Sequence, residues 1–336
     1  MTPSVPLPLR DEALADRLAE RLSLVEAKLR DTVASSDGLI EQASRHLVDA
    51  GGKRLRPLLT LLTAELGPSP AGGDVVDAAT VVELTHLASL YHDDVMDDAP
   101  VRRGAPAVHE VWGNSVAILA GDLLFAQASK LAAHLGDDVL VLQADTFVRL
   151  CTGQLHETVG PRPGDDPVAH YLSVLADKTA ALIATSARFG AMLAGCSDDV
   201  VETVGRFGEK IGVAFQLADD VIDLTSDGSL TGKTPGTDLR EGVPTMPVLL
   251  LRSRAAAPDA TAQDRGLVAL LDGDLSSDAA LAQAVAALRE HPVVARTRHE
   301  ASARARDAVA ELDALPDGPV RDALVEFADA LVDRTA

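Results

Sequence analysis

The chain has 336 residues, 47% of them hydrophobic, enough for a sizeable core and too many for a disordered or low-complexity protein. Thirty basic residues stand against 51 acidic ones, a net charge of −21, so the basic footprint of nucleic-acid binding is missing and no such partner is expected. Aromatics are only 3% beside abundant Ala and Leu, a balance that favours close-packed helices over strands.

The longest stretch without Asp, Glu, Lys or Arg runs from Val111 to Gly121. A spanning helix needs about 20 apolar residues, so no stable membrane insertion is expected. Leu7 and Leu9 sit among prolines, with charge arriving at Arg10, which does not resemble a signal peptide. Residues 1–10 are expected to form a disordered tail. Cys151 and Cys196 make no CxxC, so neither a zinc ribbon nor a disulfide framework is on offer, and a reducing, cytoplasmic setting is expected.

Leu14, Leu18, Leu22, Val25, Leu29 and Val33 step at helical spacing and predict the first helix. Similar stripes run through 74–96, 114–134, 138–159, 168–195, 198–223 and 243–253, and further Ala-rich amphipathic helices fill about 265–335. Residues 255–264 are the best linker candidate, but helical patterning resumes beyond them. No β alternation and no long-period repeat is visible. The expectation is one all-α domain, 1–336, built as a helical bundle.

Two matching acidic motifs carry the chemistry. His92-Asp93-Asp94-Val95-Met96-Asp97-Asp98 and Asp219-Asp220-Val221-Ile222-Asp223 each hold Asp-Asp-x-x-Asp in a helix-period segment. Positions i and i+4 share a helix face, so Asp93 projects with Asp97, and Asp219 with Asp223. Adjacent carboxylates repel each other, and a hard cation such as Mg²⁺ removes that penalty while sharing its shell with substrate phosphates. A solvated acidic face is the plainer reading of one copy. Both copies, however, follow apolar runs, which points to a facing pair of metal sites. A di-iron bundle would need Glu-x-x-His on two helices, and only Glu83 with His86 is clear.

Cations are scarce, so their places matter. Gly51-Gly52-Lys53-Arg54-Leu55-Arg56-Pro57 sets basic groups after a flexible turn at the entry to an apolar helix, where anions are favoured. Arg102 and Arg103 follow the first acidic motif. They can pair with Asp97 and Asp98, or grip phosphate oxygens with bidentate guanidinium groups. Lys178-Thr179 opens an apolar segment, and Lys233 lies in a Gly-rich loop after Asp223. His86 shares the face of Asp93, and Gln216 that of Asp219. Acidic metal sites, phosphate-gripping cations and apolar walls together suit a ligand with a diphosphate head and a hydrocarbon tail.

GGKRLRP, HDDVMDDAPVRRG, GVAFQLADDVID and GKTPGTDLREG together resemble, in order and spacing, the trans-polyprenyl diphosphate synthases, over roughly residues 35–335. The resemblance implies an isoprenoid synthase fold with a central cavity, a homodimer, and Mg²⁺-dependent condensation of isopentenyl diphosphate onto an allylic diphosphate. It implies about two or three Mg²⁺ ions per site, held by Asp93, Asp97, Asp219 and Asp223. Lys53, Arg56, His86 and Arg103 resemble the isopentenyl diphosphate grip. Arg102, Lys178, Thr179, Gln216 and Lys233 resemble contacts to the allylic partner, with Lys178, Thr179 and Gln216 beside the developing cation. Many members have EGK where this chain has Glu241-Gly242-Val243, so one cationic contact is expected to be missing. A terpene cyclase would lack the second full motif, and an inactive lipid-binding subunit would be expected to lose metal-ligand aspartates.

In this family a bulky aromatic four or five places before the first Asp stops product growth. Here Ala88 and Ser89 are small, with Thr85 a turn deeper. Each isoprene unit needs about one helical turn, so a product of about C30–C50, a quinone side-chain length, is expected. A C20 or farnesyl-length product is the alternative, if Ala88 and Ser89 are small only to let helices pack closely.

Overall fold

The computed structural model describes residues 9–225 and 235–332, so Lys233 and most of the expected N-terminal tail lie outside the described residues. The backbone gathers into two compact units. One comprises Met1–Cys151, Ala181–Gly208 and Glu311–Phe327, and the other Thr152–Ala180, Glu209–Ala310 and Ala328–Ala336.

In the first unit, α1 (Glu12–Thr32) begins where Asp11 Oδ1 accepts the Leu14 N–H at 2.8 Å, and it buries the expected Leu/Val stripe. α2 (Gly38–Asp49) is capped by Asp37 in the same way. α3 (Leu55–Ala64) and α4 (Gly73–Met96) follow, then a miniature hairpin of β1 (Val101–Arg102) and β2 (Ala105–Pro106), paired antiparallel. α5 (Val108–Trp112), α6 (Asn114–His134) and the part of α7 (Asp137–Val159) up to Cys151 come next, and α9 (Ala181–Leu193) packs back on α3 and α4. α4 is the hub. It is apolar around most of its circumference, as a helix surrounded by others must be, and it packs on α1, α3, α6 and α9. Tyr91 of α4 donates its hydroxyl to the Ala43 carbonyl of α2 at 2.6 Å.

α6 is long and apolar enough, by length and composition, to cross a membrane, a property that Asp122 and Lys130 hide in the sequence. It also packs on α4, α5 and α2.

The second unit holds α8 (Pro167–Leu175), a π turn at Ala176–Ala180, and the later part of α10 (Asp198–Thr225). It continues with α11 (Thr237–Glu241), α12 (Met246–Ala256), α13 (Ala262–Leu271), α14 (Asp278–Arg289) and α15 (Pro292–Glu311). The last helix among the described residues, α16 (Pro319–Val332), belongs to the first unit up to Phe327 and to the second from Ala328. The linker candidate is a short break that ends in a capping box between Thr261 and Asp264.

The all-α expectation holds, with two corrections. The stripe at 168–195 is not one helix, because the π turn breaks it into α8 and α9. The hairpin is a pair of strands where none was expected, too short for alternation to register.

Glycines mark the closest helix approaches. A Cβ on Gly190 of α9 would stand 2.0 Å from the Thr60 carbonyl oxygen and 2.2 Å from Thr63 Oγ1 of α3. Gly190→Ala is therefore expected to destabilise by about 1–3 kcal/mol, the scale of overpacking, read as a lower urea midpoint at unchanged slope. Gly266→Ala, in open space on α13, should instead be neutral or stabilising by up to about 1 kcal/mol.

Candidate active site

The first acidic motif closes α4. The Asp97 N–H still donates to the Asp93 carbonyl at 2.8 Å, so helical geometry carries both carboxylates to one face. The helix then stops because Asp98 adopts φ +49°. Asp93 is half-buried and Asp97 exposed. Asp94, between them, turns inward and is fully buried. Arg102 Nε donates to its Oδ1 at 2.5 Å, whereas Oδ2 is buried without a hydrogen-bond partner. Burial pushes the Asp94 carboxyl up, against the pull of Arg102. The hairpin folds Arg102 back, with the Ala107 N–H closing onto the Pro100 carbonyl at 3.0 Å. Arg102 thus pairs with Asp94, rather than with Asp97 or Asp98.

The basic segment before α3 lies with this motif in the first unit. Arg54 takes φ +47° and turns inward, where its Nε meets Glu26 Oε1 at 2.5 Å and its Nη1 meets Glu83 Oε1 at 2.6 Å. Arg103 Nη2 lies 3.6 Å from the same Glu83 oxygen, and its Nη1 donates to the Gly51 carbonyl. Gly52 suits this place, because its φ of +143° is one that side chains rarely adopt, and a Cβ there would press on the Arg103 guanidinium. Arg56 is half-buried, and its pKa is lowered to about 10 by desolvation and by Arg103, against the pull of Glu83. Lys53 is exposed. Desolvation, and then Arg56, Arg103, Arg54 and Arg102, hold His86 well below the usual imidazole range. His86 is thus a neutral group inside a cationic nest. Arg56, His86 and Arg103 lie close enough to feel one another's charge; Arg54 and Glu83 are the members that sequence reasoning missed. Glu83 was visible only as a poor di-iron candidate.

In the second unit the π turn presents Lys178 and Thr179. Gly153 of α7 allows the approach, since its Cβ would stand 2.7 Å from the Lys178 nitrogen. Lys178 Nζ pairs with Glu157, and Thr179 Oγ1 lies 3.4 Å from Gln216 Oε1. Asp219 and Asp223 are half-buried on α10, while Asp220 is buried. Asp220 Oδ2 accepts the Tyr171 hydroxyl at 2.7 Å and the Met246 N–H at 3.2 Å. Burial, with Asp219 and Asp223 nearby, raises the Asp220 carboxyl to about 7, although both hydrogen bonds act in the other direction. The Gly236 N–H donates to the Asp223 carbonyl at 3.0 Å. Tyr171 and Glu157 carried no local signal, as their partners are distant in sequence.

Of the chain-length candidates, Thr85 and Ala88 are buried within α4, and Ser89 is half-buried. Thr85 donates its hydroxyl to the Val81 carbonyl, and Ser89 to that of His86. Gly121 of α6 packs close by, its Cβ position 3.2 Å from the Ala88 carbonyl oxygen.

A family model described as polyprenyl synthetase matches residues 37–288. The chain belongs to the polyprenyl synthetase family. It is 44% identical over 326 residues to a nonaprenyl diphosphate synthase of Mycobacterium tuberculosis, covering 97% of this chain and 96% of that protein. It is 30% identical to an octaprenyl diphosphate synthase of Escherichia coli, covering 96% and 98%. A solved geranylgeranyl pyrophosphate synthase from Corynebacterium glutamicum, complexed with calcium and isoprenyl diphosphate, superposes with a TM-score of 0.86 at 40% identity, covering 98% of this chain and 99% of that one. The chain is thus a prenyl-group transferase with the isoprenoid synthase fold.

His86 sets a pH dependence. The unfolded chain takes up a proton there near pH 6.5, and the folded one resists it. Stability should therefore fall as pH drops below about 6.5. His86→Gln, neutral at every pH, should flatten that limb in chemical denaturation run across the range.

Proposed function

We propose that this polyprenyl synthetase condenses isopentenyl diphosphate head-to-tail onto an allylic diphosphate, with Mg²⁺, as one catalytic domain in the cytoplasm. The observation that carries the reading is a division of labour within each motif. The middle aspartate is buried and held by protein, Asp94 by Arg102 and Asp220 by Tyr171. Of the outer pairs, Asp97 is exposed, and Asp93, Asp219 and Asp223 are half-buried. Paired hard oxygen donors suit Mg²⁺, which keeps waters and shares substrate phosphates. The proposal is for about two or three such ions per site, with Asp93, Asp97, Asp219 and Asp223 as their protein ligands.

When bound, Mg²⁺ would neutralise charge that develops on the departing diphosphate. The chain supplies the rest. Arg56, Arg103 and Lys53 bind the isopentenyl diphosphate, and neutral His86 offers it a hydrogen bond without a charge of its own. Lys178, Lys233 and Arg102 are the proposed contacts to the allylic diphosphate, a role that Arg102 would play while anchored on Asp94. The carbon–oxygen bond of the allylic partner breaks, and the dipoles of Thr179 and Gln216 stabilise the allylic cation. The isopentenyl double bond attacks it, a proton leaves to the released diphosphate, and exclusion of water prevents quenching.

A homodimer is part of the proposal. Ile118 and Leu119 on α6, and Val141, Val148 and Leu155 at seven-residue steps along α7, are exposed aliphatic groups suited to a second copy.

Asp93→Asn should leave the fold and melting temperature intact and reduce condensation of radiolabelled isopentenyl diphosphate by at least about a hundredfold. Turnover near the wild-type rate would contradict the metal role.

For product length we propose about C30–C50, supported by small Ala88 and Ser89 and by the nonaprenyl synthase relative. The full burial of Thr85 and Ala88, with α6 packed close, favours a second reading, a C20 product. Chromatography of products decides between them. The long-chain reading expects about C30 or longer from the wild type, collapsing to about C15–C20 in Ala88→Phe. A wild-type product already at C20, unchanged in the variant, would establish the second reading.

A further inference from the structure

We propose that Asp98, His109 and Glu110 form a separate site for a borderline divalent cation such as Zn²⁺, distinct from the outer aspartates of the first motif. Ligand atoms of these three side chains all lie within 4.8 Å of one another. His109 Nε2 stands 3.4 Å from Glu110 Oε1 and 3.8 Å from Asp98 Oδ1.

The decisive member is His109. It is only 7% exposed, and both of its ring nitrogens are buried without a hydrogen-bond partner. Leaving a buried polar group unsatisfied is costly, so such an imidazole calls for a ligand. The two carboxylates beside its Nε2 are at distances too long for hydrogen bonds. They are close to what a shared ion requires. Bonds of about 2.0–2.1 Å in a tetrahedral shell put donor atoms roughly 3.4 Å apart, so His109 Nε2 and Glu110 Oε1 already stand at that spacing and the exposed Asp98 side chain would close in on them.

Solvent access is arranged for entry. The Asp98 side chain is 96% exposed and that of Glu110 50% exposed, so an ion arrives from water and meets the buried imidazole last. The backbone supplies the convergence. Asp98 takes φ +49° as α4 ends, and the β1–β2 hairpin returns the chain so that α5 begins beside it.

The donor set also selects the ion. One imidazole and two carboxylates suit Zn²⁺ or a neighbouring first-row ion, whereas Mg²⁺ prefers an all-oxygen octahedron. Three protein donors leave one position for water. An ion here would tie the end of α4 to α5 across the hairpin that carries Arg102 and Arg103.

The test is calorimetric titration of the full-length protein with Zn²⁺ in a large excess of Mg²⁺, with thermal melting as a second readout. The wild type should bind one further Zn²⁺ equivalent and melt at a higher temperature with it. Asp98→Asn and Glu110→Gln alter exposed side chains and should fold normally. Each should weaken that binding at least about tenfold, the lower end of what losing even an outer-shell partner costs, and abolish the melting shift. His109→Gln should do the same where it folds. Asp93→Asn should retain the Zn²⁺ equivalent, which separates this site from the proposed catalytic metal. Zn²⁺ binding unchanged in Asp98→Asn and Glu110→Gln, or lost in Asp93→Asn, would overturn the assignment.

Discussion

Glu83 is the interaction on which the first half of the site depends. Its carboxylate is 1% exposed and stands against Arg54 and Arg103, with Arg56 close enough to feel its charge. Burying several guanidinium groups beside an apolar helix is costly without a counter-charge. One carboxylate, with Glu26 at the outer end of Arg54, compensates part of that cost and leaves the nest net positive. That surplus is what an incoming diphosphate would meet. It also explains why His86 stays neutral, since a further proton would add charge where cations already crowd.

The second motif rests on the same economy with different parts. Asp220 is held by a phenol and a backbone N–H. In both motifs the inward carboxylate serves as an anchor, so that its i, i+4 neighbours keep a set direction. Anchoring of this kind lowers the reorganisation that metal and substrate binding would otherwise require.

Much of this was legible in the sequence, for local reasons. Helices were readable because their apolar stripes repeat every turn, and the outer aspartates because i, i+4 geometry is intrinsic to a helix. The inward turns of Asp94 and Asp220 were not readable. Asp-Asp gives no sign of which carboxylate faces in, and the partner Tyr171 lies 49 residues from Asp220 in sequence. The π turn escaped because a phase slip inside an Ala-rich run leaves the apolar pattern nearly unchanged. Glu83 was hidden by its neighbour His86, which suggested a metal pair where the structure has an ion-pair nest.

Arg54, Asp98 and Arg103 are the non-glycine residues with positive φ among those described, at +47°, +49° and +53°. A left-handed backbone disfavours a side chain by roughly 1–2 kcal/mol relative to glycine. Directed evolution for heat resistance alone would therefore drift toward glycine at these places, and would remove the guanidinium groups and the carboxylate that the strain keeps in position. If the proposed roles hold, the most profitable stabilising substitutions and the most damaging ones for catalysis fall on the same short stretches of chain. Libraries built to harden this enzyme should hold residues 51–56 and 97–110 constant and look for gains elsewhere.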